Sequence, residues 1–431
     1  GKLSRRDTRW LCSNCRAIVG DNRINVNGEI KGSSIFADLE LDAPSLQQFW
    51  PTLAGSLSGA SRLRGTLRLP ILSGKLTGRQ LMFGDWSLGH LSLEAGDATA
   101  QDLNTKVVFR EGAFKATRFG AGQLDFNGEL EEVDVTLDWQ LDDYAAAADV
   151  HVSIDNEIVS GLIRTASVTE PVSGTWSLNE STHFVIGSDS QSVAAGTWSN
   201  DAAEFRHERV EYQQDMFSVA AALSNTPVAV FNAFLPENIR LDGRLNATVD
   251  LQQAAAGWNG QIEWRQHDTE VKIIASEDDY FEGKLPQVYL SAAIVNSAPT
   301  LKATVKSDLG MEALLDASLS ELSADAELRA RLQFSGDRWD WVSRLFPGIS
   351  EFNGAINADV RAGGMLRSPD LLGEVDWVDG SFAVPGLNLP LTEIGLKLTG
   401  SAAGDMTVSG TARSGEGLLR ISGGLDDVVS A

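Results

Sequence analysis

A chain of 431 residues, 43% of them hydrophobic, carries ample apolar material to bury, which excludes a disordered polymer. Its 35 Lys plus Arg stand against 59 Asp plus Glu, a net charge of -24, so a polyphosphate is repelled over most of the surface and nucleic acid is excluded as a partner. Gly is abundant at 41 residues and aromatics amount to 7%, a composition that suits many short strands joined by turns.

The sequence opens on Gly1-Lys2-Leu3-Ser4-Arg5-Arg6 and runs into Asp7 with no apolar stretch behind the basic one, so a soluble segment of something longer is expected. Cys12-Ser13-Asn14-Cys15 holds the only cysteines. In an oxidising compartment a disulfide would close a tight turn at Ser13-Asn14. The competing readings are a thioredoxin-like redox pair, which lacks a surrounding βαβ pattern, a zinc site, which would need two of the scattered His90, His151, His183, His207 and His267, and two free thiols.

Period-2 alternation then dominates the chain. Ile24-Asn25-Val26-Asn27, Leu124-Asp125-Phe126-Asn127 and Val133 to Trp139 each put apolar groups on one face and polar groups on the other. Leu245 to Leu251, Ile262-Glu263-Trp264, Ile356 to Val360 and Ile394 to Leu398 do the same. These are half-buried strands of an antiparallel kind, since parallel strands covered on both faces read as continuous apolar runs. Helical spacing is confined to Pro44–Trp50, Pro227–Leu235 and Arg338–Phe346, each stopped by a proline. Thr226 and Asp337 are the expected N-caps of the second and third.

Those three stops belong to a repeat. Phe49-Trp50-Pro51, Phe234-Leu235-Pro236 and Leu345-Phe346-Pro347 are each followed by a glycine seven or eight residues on, Gly59, Gly243 or Gly354, and then by an alternating strand. Pro70 with Gly74 and Pro369 with Gly373 complete the first and third copies, and Gly257-Trp258-Asn259-Gly260 stands in the second. The copies define approximate units at 44–225, 226–337 and 338–431 within one continuous β-groove over 1–431. Their unequal intervals argue against a strict solenoid.

A sheet greasy on one side must cover that side, and three short helices cannot cover on the order of 40 strands of about 10 to 12 residues each with their turns. The expected fold is all-β: an elongated, twisted, U-shaped, taco-like sheet with an apolar groove and a few short helices. Alternation alone places Leu245, Val249, Leu251, Ile262, Trp264, Ile356, Val360, Val375, Trp377, Leu396 and Leu398 on the groove side. An incompletely filled groove would bind acyl chains, because each methylene taken from water is worth roughly 0.8 kcal/mol.

The repeated FWP…G units, the segment Ser368-Pro369-Asp370-Leu371-Leu372-Gly373-Glu374-Val375 with its sequel DWVDGSFAVPGLNLPLTEIGLKLTG, and the ending VSGTARSGEGLLRISGGL resemble the TamB family of Gram-negative bacteria, within the AsmA-like superfamily. The resemblance covers most of the chain and is strongest from about Trp339 to Leu425. It implies a taco-shaped sheet in the periplasm, anchored in the inner membrane at one end and meeting the outer-membrane barrel protein TamA at the other. The implied partners are phospholipid, both membranes and that barrel; the implied roles are passive phospholipid transport and assembly of outer-membrane proteins such as autotransporters. The chain departs from the family in lacking the signal anchor and in its length.

Motifs for catalysis are missing. Gly120-Ala121-Gly122 has Asp125 where a dinucleotide fingerprint needs glycine, and reads as a turn. No GxxxxGK[ST], HExxH or GxSxG occurs. His207 reads as a solvated strand end. Glu131-Glu132, Asp142-Asp143 and Glu277-Asp278-Asp279 lack calcium-loop spacing. No enzyme, metal or cofactor is expected. The leading function is a periplasmic conduit for phospholipid. The alternative is an assembly factor that accepts client strands by β-augmentation along the rims of the trough. A β-solenoid carbohydrate enzyme would need regular coils and clustered carboxylates, which the sequence does not offer.

Overall fold

The computed structural model describes residues 1–6, 9–67, 70–96, 102–129, 131–155, 157–214, 216–274, 280–339, 341–346, 348–387, 389–400 and 406–425. Pro347 and the Glu277-Asp278-Asp279 run lie outside them. The fold is all-β, with 29 strands among the described residues, fewer and longer than the sequence implies; Gly257–Ile274 has 18 residues. Long strands arise because alternation continues through the glycine positions that read as boundaries. Gly120-Ala121-Gly122, for instance, lies inside strand Thr117–Glu129, with Gly120 at φ +75°.

The chain divides into two units, Gly1–Asn200 and Asp201–Ala431. In the first, strands pair antiparallel in chain order from Lys2–Arg6 to Ile158–Glu170. The ladder then splits, since Val159–Ile163 pairs with strand Thr182–Ile186 while Ser167–Glu170 pairs with strand Gly174–Leu178. In the second unit, thirteen strands from Ala203–Gln213 to Gly417–Leu425 again pair antiparallel in chain order. Each interior strand's hydrogen-bonding groups are therefore taken by the neighbours before and after it.

Two of the expected helices shrink to single turns, and the third keeps seven residues but as a 3₁₀ helix. Leu46–Gln48 and Val228–Phe234 are 3₁₀, and Val342–Leu345 is one α turn. Pro385–Leu387 adds a 3₁₀ turn that no helical spacing announced. Neither expected cap forms: Val228–Phe234 is preceded by Pro227 and Val342–Leu345 by Trp341, with no side-chain cap bond, and the Thr226 hydroxyl bonds Ser224 O at 3.4 Å. Helices this short leave few orphan donors for a cap to satisfy. In the second unit the three helical connections enter strands Ile239–Ala254, Ser350–Met365 and Leu389–Gly400. Six strands and then two separate them, both even numbers, so all three lie at the same side of strand ends.

The repeat has a structural counterpart. Ala54 and Ser56 pair with Met82 and Arg79, so Gly55 faces two residues, Gln80 and Leu81. Gly243 faces Asp268 and Thr269 in the same way, and Gly354 faces Asp379 and Gly380. Backbone φ is +94°, +136° and +109° at these glycines, a region side chains rarely enter. In the first copy the bulge glycine is thus Gly55, and Gly59, the glycine in the sequence repeat, is paired on both sides.

Candidate functional site: apolar rows across each sheet

Residues directly opposite on antiparallel strands point to the same side of a sheet, so register fixes which side chains share a face. In the second unit one row runs Phe205, Leu223, Ala247, Trp264, Leu290, Ala303 and Leu315. It continues through Leu332, Val360, Gly373, Gly400 and Met406. Twelve strands supply twelve non-polar residues without interruption. The first unit holds an equivalent row over eleven strands: Ala17, Ile24, Leu41, Gly59, Leu76 and Leu93, then Val107, Leu124, Leu137, Ala148 and Ala166.

All eleven residues chosen by alternation fall on the apolar face of the second unit. Val249 opposes Ile262, and Leu251 opposes Gly260. Ile356 opposes Trp377, which opposes Leu396; Ala358 opposes Val375, which opposes Leu398. Leu245 opposes Gln266 and is fully buried, while the other ten are half-buried. Leu332, in the middle of the row, remains 41% exposed. The opposite face is polar and held by exposed ion pairs such as Arg331–Asp359, Lys397–Glu374 and Arg209–Asp250. Such pairs contribute little stability singly, but they keep that face in water.

Two of the eleven are covered by other aromatics. The Trp264 ring meets Phe231 edge-on at 5.0 Å, and its Nε1 donates to Gln266 Oε1 at 3.0 Å. Trp377 stacks between Phe352 at 4.8 Å and Phe382 at 6.0 Å and donates to Asn353 O. Phe231 belongs to a helical segment, and short-range alternation carries no signal that such a segment turns back onto the sheet.

Cys12 and Cys15 are joined, with Cα atoms 5.7 Å apart. They sit in a bulge inside strand Arg9–Val19, not in a turn between strands: Cys12 opposes Gly28, Cys15 opposes Val26, and Asn14 has φ +48°. Residues three apart on a regular strand point to opposite faces; the extra residue brings both sulfurs to one face. Beside them a cavity of about 380 Å3 is lined almost wholly by apolar groups, among them Leu3, Trp10, Val26, Ile30, Leu39 and Leu63. A concavity of about 1050 Å3 includes Arg16, Asn25, Asp38, Glu40 and Arg62 in its lining and is polar.

His207 is not a solvated strand end. It is 7% exposed, because the bulge at Glu208 sets it opposite Ala221 on the apolar side, and burial pushes its pKa down. Its Nδ1 and the hydroxyl of the fully buried Thr269 have no hydrogen-bond partner among the described residues. Glu132 and Asp142 are taken up in pairs with His151 and Arg118. Among the described residues no cluster of His, Cys, Asp and Glu is arranged to hold a metal ion, and no helix is long and apolar enough to cross a membrane.

The chain matches the family model described as TamB, N-terminal domain, over residues 1–376, so the ending VSGTARSGEGLLRISGGL lies beyond the matched part. A curated relative, the translocation and assembly module subunit TamB of Haemophilus influenzae, is 20% identical over 379 residues. The match covers 82% of this chain and 28% of that protein, so the chain spans under a third of its relative. No solved structure matches. With the family model covering residues 1–376, the chain belongs to the TamB family.

Proposed function

We propose that this chain is a periplasmic section of a TamB-like bridge between the inner and outer membranes, a non-enzymatic carrier whose apolar rows hold phospholipid acyl chains while the headgroups stay in water. The observation that carries the reading is the twelve-strand non-polar row of the second unit, most of it half-buried, where a packed core would be fully buried. Along such a row each methylene gains about the same, roughly 0.8 kcal/mol, so a tail can slide without returning to water. A TamA-type outer-membrane barrel is the proposed partner, and the rows of both units are proposed to serve one route over 1–431, built from the repeat units 44–225, 226–337 and 338–431.

The assembly reading, with outer-membrane proteins such as autotransporters as clients, has less room. Strand addition needs unpaired backbone donors and acceptors, and among the described residues the interior strands are paired on both sides, with turns and helical connections at their ends. A client strand would have to join a terminal strand of the sheet.

Native mass spectrometry of the purified chain tests the proposal. Copurified phospholipid is expected, and Val249→Arg, which sets a charge opposite Ile262, should reduce its occupancy at least tenfold. Thr248→Arg, on the polar face opposite Glu263, should leave occupancy unchanged. Lipid-free wild-type protein, or equal loss from both variants with folding intact by circular dichroism, would overturn it.

A further inference from the structure

The 3₁₀ segment Val228–Phe234 lies against the apolar face of the second unit. Phe231 meets Trp264 and Val228 is fully buried, while Phe234 at the far end is 84% exposed. The segment has no charged residue, stands between Pro227 and Pro236, and lacks a side-chain N-cap. Among the described residues its side-chain hydrogen bonds to the sheet come from one residue: Asn232 Nδ2 donates to Leu241 O at 3.0 Å, and Leu241 N–H donates to Asn232 Oδ1 at 2.9 Å. The flanking strands do not depend on it, because Thr226 and Pro227 pair directly with Leu245 and Arg244. The second covering group is fastened differently. Trp339 is 7% exposed, donates to Gly354 O at 2.8 Å and touches Phe334, Trp341 and Phe352.

We propose that Val228–Phe234 is a displaceable strap: Val228 and Phe231 hold the place of an acyl chain over Trp264, and a phospholipid entering there lifts them. This rests on the lipid reading above. An acyl chain offers the same kind of apolar cover as the two side chains and more of it, so the exchange leaves the sheet surface dry, and only the Asn232 bonds need be replaced by water. Trp339, with three aromatic neighbours, stays in place.

Amide hydrogen exchange on the whole chain tests this, with vesicles of phosphatidylethanolamine and phosphatidylglycerol that contain an acyl-diazirine phospholipid. Lipid should speed exchange of the Leu241 amide at least tenfold while amides of Ala247–Leu251 stay as they were. Asn232→Ala should raise photo-crosslinking to strand Gly257–Ile274 several-fold. A disulfide between Phe231→Cys and Trp264→Cys should abolish crosslinking there when oxidised and restore it on mild reduction. Crosslinking to strand Ser350–Met365 with Leu241 exchange unchanged would overturn the strap alone. No crosslinking anywhere on the wild-type chain would overturn the lipid reading, and the strap with it.

Discussion

Trp264 and Trp377 show how far one side chain can be read from its neighbours in sequence. Alternation assigns their face, and the register agrees, because a strand offers only two sides. What touches them there comes from elsewhere in the chain: Phe231 from a helical turn, Phe352 from the strand before. Thr269 makes a sharper case, since its hydroxyl is buried without a partner among the described residues. Thr269→Val removes the unsatisfied oxygen and should stabilise the chain by about 1 kcal/mol, read as a higher midpoint in denaturant. On the polar face, the hydrogen bond from Arg331 Nε at 2.8 Å and the charge behind it hold the Asp359 carboxyl below the usual range. A carboxylate with a lowered folded-state pKa adds stability that is complete above the unfolded value of about 3.9 and is lost as pH falls through the folded value. Carboxyl NMR should therefore place the Asp359 midpoint below 3.8, and Arg331→Ala should return it upward.

Among the elements, the strands were legible from sequence and their interruptions were not. Alternation is a local property, so it finds strands wherever one side meets water. A bulge is a relation between two strands, which explains why Gly59 drew notice while Gly55 holds the position opposite Gln80 and Leu81. The proline stops located the helical turns correctly but overstated their length and caps. At Gly354 a Cβ would lie 2.6 Å from Trp377 Nε1 and 2.7 Å from Gly380 Cα, on a backbone with φ +109°. Gly354→Ala should cost about 2–3 kcal/mol. Gly348→Ala, where nothing lies within 4 Å, should stay within about 0.5 kcal/mol, both measured by urea unfolding.

At the scale of the molecule, antiparallel pairing in chain order gives the second unit a stability made mostly of nearest-neighbour contributions, as in repeat proteins. Unfolding of the second unit should be graded. Its urea m-value should fall below that of a compact two-state protein of equal size, and exchange protection should decline from the middle strands toward the outer ones. The same topology decides how the molecule can lengthen. The chain weaves back and forth across its own greasy track, so one inserted hairpin adds two threads, about 10 Å, and disturbs no pairing beyond its two neighbours. Only additions in twos keep every helical connection on the margin where the second unit has all three. In the second unit six strands part the first two of those connections and two part the next, a spacing that fits a track lengthened by whole stitches with its seam kept on one border.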